Sequence, residues 1–532
     1  MFVYTVPDLL FREQTDKDAL FVIENDISIS RSALNKRASV LASWLYDQGI
    51  RRGDRVGIHL MKSIDEIVAT FAISRIGAVW VNVNYQWVPD QLEYVIEDSG
   101  MKILFTDTRK ARQLKDSLQF QKLGAVVLSG KMTSVNSSHI SINDACSTTF
   151  VPESYRPVDK DLAALLYTSG STGKPKGVMI SHLNFIDATR RVSEYLVNSK
   201  SDTILSVIPL SAPWGVLQIT TMLMSGGAVV LQPTVLPSEI VNYVNKHNIT
   251  GIAAMPPTWV QLSGYLQETQ IKLPSLRYIS SSGGKIPHQV LESFPEVFPD
   301  VSVYLTYGLT EAFRSTYLAP EMFRKKMGSL GKPCKNVDVF VIDPEKGICG
   351  PGEQGELVHR GSVVTMGYWN NQKATDQNWK TCEHLRHLIG DELVHYSNDL
   401  VRIDEDGYLW FVDRMVSQIK CAGHRISSTE VEDICCQSGF IESAVAFGVP
   451  DLIMGQIVHV AIDVKPGCEQ SFNEEDLLQY CKRRMPNFMV PARFHVWNGL
   501  MPRNPNGKID RPLVINFYLE VLKCEESISL QS

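Results

Sequence analysis

The sequence predicts an α/β protein with a large first domain and a small α+β domain at its end, and three observations carry that expectation. Helix, glycine and apolar strand follow one another repeatedly in the first stretch, the rhythm of a parallel sheet with covering helices. From about Val337 to Trp410 the pattern turns to short alternating strands with glycine-rich turns (GICGPGEQGELVHRG), which fits a small β-rich subdomain. After Asp413-Arg414 it changes again, leaving a tail of roughly a hundred residues, enough for a separate small domain.

In chain order, Ser30 to Gly49 carries Leu34, Ala38, Leu41 and Leu45 at helical spacing and stops at a glycine. The run RVGIHL after Gly53 and Asp54 reads as a strand, Ile64 to Ile76 as a helix ending at Gly77, and AVWVNVN as the next strand. Ser129 to Asp144 shows little apolar periodicity and reads as loop. A helix is expected from about His182 to Val197, and two apolar strands between Thr203 and Val235. Ile252 to Leu262 follows Thr250-Gly251 and contains Pro256-Pro257. LRYISSSGGKIP and VSVYLTYGLTEAF each run a strand into a polar, glycine-bearing turn, the place where open α/β sheets hold ligands. In the tail, SSTEVEDICC and Glu474 to Met485 read as helices, and Ala444 to Val449 and Ile457 to Val464 as strands.

The stretch with the most chemistry is YTSGSTGKPKGV, Tyr167 to Val178. It sets three glycines, four Ser/Thr hydroxyls and two lysines between the apolar runs DLAALLY and VMI. Small residues let the backbone N–H groups converge, and hydroxyls with ammonium groups complete a phosphate cradle. It is not a Walker A loop, because Lys174 is followed by Pro175. A flexible linker is the bland alternative, but linkers seldom combine flanking strands with two spaced lysines and a proline.

At 532 residues, with 44% apolar and 21% charged side chains, the chain has material for three or four domain-sized units. A net charge of −6 (52 basic, 58 acidic) without a long basic run argues against nucleic acid as a partner. The ten cysteines are scattered, none as Cys-x-x-Cys, and the adjacent Cys435 and Cys436 suit neither a bridge nor a metal. No targeting segment opens the chain and no apolar run approaches the ~20 residues of a membrane helix, so a reducing, cytoplasmic setting is expected.

Five motifs in order, YTSGSTGKPKGV, YGLTEAF, the Asp of YSNDLVRID, FVDRMVSQIKCAGHRISSTEVE and PRNPNGKIDR, make the chain resemble the AMP-forming adenylating superfamily. That group holds acyl-CoA synthetases, free-standing amino-acid adenylation enzymes and firefly luciferase. GLTEAFRSTY, GELVHRG, GYWN and PRNPNGKIDR look closest to free-standing acid–AMP ligases of polysaccharide and secondary-metabolite clusters.

The resemblance implies a large ATP- and acid-binding domain of distorted sheets with packed helices, residues 1–413, and a mobile α+β lid, residues 414–532. It implies that a carboxylic acid attacks Mg-ATP to give an acyl-adenylate and pyrophosphate. A thiol of coenzyme A or of a separate carrier protein's phosphopantetheine then displaces AMP. Thr168, Ser169, Gly170, Ser171, Thr172, Gly173, Lys174 and Lys176 would hold the phosphates. Tyr307 and Gly308 would serve adenine and Asp399 the ribose, with Arg414 nearby. Thr310 would touch the α-phosphate, Glu311 with Thr168 would hold Mg²⁺, and Lys508 would bridge the attacking carboxylate and the α-phosphate. Taken singly, Asp399, Glu311 and Lys508 would be solvated surface charges and Tyr307 a core aromatic; their shared order reverses that.

Three departures from the family pattern stand out. The acid pocket reads PLSAPWG, with Ala212, Pro213 and Trp214, beside Ser282, Gly283, Gly284 and Lys285. It lacks both the aromatic-His pair usual in acyl-CoA synthetases and the Asp that pairs a substrate ammonium in amino-acid adenylating enzymes. An acid without an α-amine is therefore expected, since a buried, uncompensated ammonium is costly. The hinge position is Val416 where Asp or Lys is usual, and the thiol tunnel keeps Gly423, beside an incidental Cys421. An amino-acid adenylating ligase loading a carrier, a luciferase-like oxidoreductase and an inactive binding protein remain as alternatives.

Overall fold

The computed structural model describes residues 3–11, 19–25, 27–130, 139–147, 156–168, 175–232, 234–415, 419–421, 424–451, 454–485, 487, 489–504 and 507–529. It is mixed α/β and divides into two compact units. One comprises residues 1–339 with 358–396, the other 340–357 with 397–532.

Two sheets organise the first unit among the described residues. The nine-stranded one runs Lys332–Pro333, Thr316–Leu318, Ser302–Tyr307, Tyr278–Ser281, Gly251–Ala254, Thr203–Ser206, Ala228–Leu231, Leu20–Glu24 and Ile27–Ser30. Its centre is parallel, with Ser302–Tyr307 beside Tyr278–Ser281 and that strand beside Gly251–Ala254. The seven-stranded sheet runs His139–Ser141, Ala125–Ser129, Ile103–Asp107, Arg55–Ile58, Val79–Asn82, Leu162–Thr168 and Lys176–Ser181. Only its last pair is antiparallel.

Serines at the entries start several helices. Ser30 accepts from Ala33 N ahead of Arg31–Asp47, and Ser63 from Glu66 N ahead of Ile64–Arg75. Ser181 accepts from Asn184 N in a reciprocal box ahead of His182–Tyr195. The buried faces of these helices meet the sheets in one apolar core that includes Leu34, Leu41, Val68, Phe71, Trp80 and Phe185.

Two expectations need correction. The stretch Ser129 to Asp144 contains a strand, His139–Ser141, parallel to Ala125–Ser129, and the start of a one-turn helix, Ile142–Ala145. Both are too short to display a period, yet Ile142 and Ala145 are fully buried. Between the two strands expected over Thr203 to Val235 lies a helix, Pro213–Ser225, buried almost all round, so no polar stripe betrays it.

In the second unit, Ile419–Cys421, Gly455–Val464 and Ile441–Asp451 form the body of a five-stranded sheet, with Arg493–Val496 alongside Gly455–Val464. Helices Ser428–Cys436 and Glu474–Lys482 close one core with Val431, Cys435, Leu477 and Cys481. The long helix Arg511–Ser529, which the sequence reading did not anticipate, puts Val514 and Tyr518 into a second core with Val445 and Phe447. Nine cysteines are unbridged among the described residues.

Candidate active site

The polar loop joins two antiparallel strands, Leu162–Thr168 and Lys176–Ser181, with Thr168 directly opposite Lys176. Ser169, Gly170, Ser171, Thr172, Gly173 and Lys174 lie outside the described residues. Tyr167, opposite Gly177, donates its hydroxyl to Asp98 at 2.5 Å. A Cβ on Gly177 would sit 2.9 Å from the Tyr167 ring, so the pair leaves room only for glycine. Thr168 and Lys176 are thereby held in register, both half-buried, where the loop begins and ends.

Strand Ser302–Tyr307 delivers the second motif. Leu309 N donates to Ala312 O at 3.1 Å and Ser315 N to Tyr307 O at 3.1 Å, closing a tight turn around Thr310 and Glu311. Gly308 is required there, because a Cβ would come within 2.4 Å of Arg314 N. The Glu311 carboxylate accepts from the Tyr368 hydroxyl at 2.7 Å, and its carbonyl accepts from Thr365 N at 3.0 Å and Thr365 Oγ1 at 2.9 Å. Lys176 Nζ lies 5.2 Å from the centre of the Tyr368 ring. Tyr368 therefore links the cradle's lysine to the expected metal-binding carboxylate.

Behind Tyr368 stands a run of rings. Trp379 meets it edge-on at 5.0 Å and bonds Thr365 O at 2.8 Å through its indole N–H. His395 lies 4.5 Å from Trp379, His359 is 6.1 Å from His395, and Tyr307 stacks on His359 at 6.0 Å and 17°. The expected adenine platform and the expected metal ligand thus share one rigid backing. Burial drives His359 down to about 3, and burial with neighbouring His359 drives His395 well below the ordinary histidine value, so both rings are neutral.

The expected acid pocket also assembles. Ala212 precedes, and Pro213 and Trp214 begin, helix Pro213–Ser225. Ser282 is buried at the end of strand Tyr278–Ser281, followed by Gly283 at φ 85°. A Cβ on Gly284 would meet Pro256 at 3.4 Å, and Lys285 is exposed. Trp214, Gln218, Tyr278 and Ser280 share a void of about 20 Å³, room for one water-sized group.

Over the Trp214 ring, at 4.4 Å, sits the guanidinium of Arg314, which donates to Thr306 Oγ1 at 2.6 Å. Thr306 donates its hydroxyl to Ser281 O at 3.1 Å. Arg314, Tyr368, His359 and Trp379 were not anticipated as site residues. GLTEAFR, GYWN and GELVHRG hold the first three, but nothing in the string marks them as inward-facing.

In the second unit, Asp399 and Arg414 are directly opposed across strands Val394–Ile403 and Leu409–Arg414. Arg414 Nε is 2.7 Å from Asp399 Oδ1, with the carboxylate buried and the arginine exposed. Lys508 is exposed on a tight loop in which Asn504 N donates to its carbonyl at 2.7 Å and its own N–H to Asn504 Oδ1 at 3.1 Å. Desolvation lowers its pKa below the usual lysine value; Arg414 pushes the same way and Asp399 opposes. These three therefore share one electrostatic neighbourhood. Asp413, which sequence reading passed over, accepts from Ser428 N at 2.7 Å and Thr429 Oγ1 at 3.2 Å and so ties strand to helix. Val416 and Gly423 lie outside the described residues; Cys421 is buried, its thiol pushed up by desolvation, which fits no nucleophile.

Known proteins match over nearly the whole chain. It is 28% identical to an oxalate–CoA ligase of Arabidopsis thaliana over 499 residues, 92% of each chain. It is 26% identical to part of gramicidin S synthase 2 of Aneurinibacillus migulanus, covering 94% of this chain and 11% of that one. The fold superposes with a TM-score of 0.82 and 25% identity on the o-succinylbenzoate CoA synthetase MenE of Bacillus subtilis in complex with its acyl-adenylate intermediate. That match covers 96% of this chain and 98% of the other. The AMP-binding enzyme family matches residues 11–369 and the AMP-binding enzyme C-terminal domain residues 430–508. With the cradle hairpin, the Tyr307–Glu311 turn and the Asp399–Arg414 pair in place, the chain belongs to the AMP-binding enzyme family.

Proposed function

We propose that this enzyme activates a carboxylic acid with ATP and passes the acyl group to a thiol. The observation that carries the reading is the convergence of Thr168, Lys176, Tyr368 and Glu311. In the first half, a carboxylate oxygen bonds to the α-phosphorus, the bond to the bridging oxygen breaks, and pyrophosphate leaves with the electron pair. In the second, a thiolate attacks the acyl carbon and AMP departs. The thiol is that of coenzyme A or of a carrier protein's phosphopantetheine.

Each residue does work that the step needs. The cradle, with Lys176 at its end, takes the outgoing phosphates, and Thr310 the α-phosphate. Tyr307 stacks adenine and Asp399 accepts from the ribose hydroxyls. Lys508 bridges the two approaching anions, whose mutual repulsion dominates the barrier. In this reading residues 1–413 bind ATP and acid, residues 414–532 act as the lid, and Gly423 lines the thiol's path.

Magnesium asks the protein for few, hard ligands, and Glu311, oriented by Tyr368, would hold it with Thr168. When bound it neutralises phosphate charge. No helix of the described residues is long and apolar enough to cross a membrane. The unbridged thiols favour a reducing compartment, and we place the enzyme in the cytoplasm.

Amino-acid activation is the second reading, supported by the similarity to gramicidin S synthase 2. The Ala212–Trp214 turn offers an α-ammonium no carboxylate, and the Arg314 cation at Trp214 would repel it. A pyrophosphate-release screen over plain acids and amino acids, with and without coenzyme A, tests the function. Release with a plain acid is expected, with coenzyme A adding thioester and AMP; no ATP consumption with any acid would overturn the reading.

A further inference from the structure

Arg314 is a buried cation with no carboxylate paired to it among the described residues. The residue is 4% exposed, Nη1 is used by Thr306, and Nη2 has no hydrogen-bond partner among the described residues. Burial lowers its pKa, and the titratable groups facing it, Tyr195 and Cys334, are themselves held protonated by burial. Buried Arg191 has a carboxylate, Asp187, although its Nε and Nη2 make no hydrogen bond among the described residues, and Arg31 donates to the carbonyls of Met222 and Leu223. An unanswered buried guanidinium is expensive and persists where something else completes it.

The backbone is bent to place it. Arg314 sits at φ 62°, a conformation that disfavours a long side chain, and it packs so closely on Gly308 that only glycine fits there. The turn that presents Glu311 to Tyr368 therefore presents Arg314, three residues later, to Trp214. The void beside Trp214 is about 20 Å³, room for one water-sized group.

We propose that Arg314 is the recognition residue for a second carboxylate on the acid, so that the substrate is a short dicarboxylic acid. One carboxylate reacts at the α-phosphorus. The other lies against Nη2, in a charge-assisted bond that a monocarboxylic acid of equal length lacks. This rests on the acid-activating function above and adds its substrate class.

The test pairs acids of matched length, succinate with butyrate and glutarate with valerate. Pyrophosphate release and thermal stabilisation of the ATP-free protein are both read, for the native chain, Arg314→Lys and Arg314→Met. The native chain is expected to favour the diacid by about two orders of magnitude in kcat/KM. Arg314→Lys should keep part of that ratio, and Arg314→Met should lose it while still activating the monoacid. Stabilisation by the diacid should vanish in Arg314→Met. A native preference for the monoacid, or equal loss of both acids in Arg314→Met, would overturn the inference while leaving acid activation standing. If no acid releases pyrophosphate, the activation reading fails, and diacid stabilisation alone then decides whether Arg314 binds a carboxylate. Should Arg314→Met not fold, the native and Arg314→Lys ratios decide.

Discussion

In the proposed reaction Lys508 and Tyr368 rest on opposite kinds of observation. Lys508 stands in a motif, PRNPNGKIDR, and its proposed role comes from that motif's place in order along the chain. Lys508→Ala should slow adenylate formation by about two to three orders of magnitude, yet leave thiol transfer from a supplied acyl-adenylate nearly intact; equal loss in both half-reactions counts against the assigned role. Tyr368 acts through a contact with a residue 57 positions away, which no local pattern reveals. Tyr368→Phe removes a hydrogen bond to a charged group, about 1.5–3 kcal/mol, so Glu311 should hold magnesium about tenfold more weakly. A titration of pyrophosphate release against Mg²⁺ at saturating ATP reads this directly, and an unshifted curve would show that Tyr368 does not orient Glu311. Arg314 was illegible for a related reason: arginine in a polar motif looks solvated until the fold shows it inside.

At the scale of elements, the sequence was readable where a period had room to repeat. The helix read from Ser30 to Gly49 is Arg31–Asp47, and the strands read at Ala444 and Ile457 are the middle of Ile441–Asp451 and Gly455–Val464. It was unreadable where an element is buried on every side, as at Pro213–Ser225, or is a single turn, as at Ile142–Ala145. Joins between elements depend on single polar residues, and Asp413 is one, holding the start of helix Ser428–Cys436 from the end of a neighbouring strand. Asp413→Ala should cost about 2–3 kcal/mol by leaving buried donors unmatched. The urea midpoint of the second unit would fall accordingly; a midpoint within error of the native chain's would mean that Asp413 is dispensable there.

Over the whole molecule, buried neutral histidines weaken the fold in acid, while the buried carboxyls of Glu66 and Glu432, both raised to about 7, work the other way. Burial lowers His59 and His182 to about 4 and His359 to about 3, and His182 Nδ1 accepts from Val6 N at 3.2 Å, a bond only the unprotonated nitrogen makes. At these rings the unfolded chain thus binds more protons than the folded one between the ordinary histidine value and about 4. Their contribution is complete above that ordinary value and drains away as the pH falls, by about 1.4 kcal/mol per pH unit for each ring. Urea midpoints followed from neutral pH down to 4.5 should decline, and His359→Leu should decline less steeply. A native curve that stays level on acidification would remove this account.

The ring ladder from Tyr307 to Tyr368 has a consequence for regulation. Burial keeps both imidazoles neutral at mild acidity, so the tilt of the nucleotide's seat does not follow histidine protonation there. An ATP analogue lacking the triphosphate's last ionisation should therefore bind with a flatter profile than ATP over the same mild range.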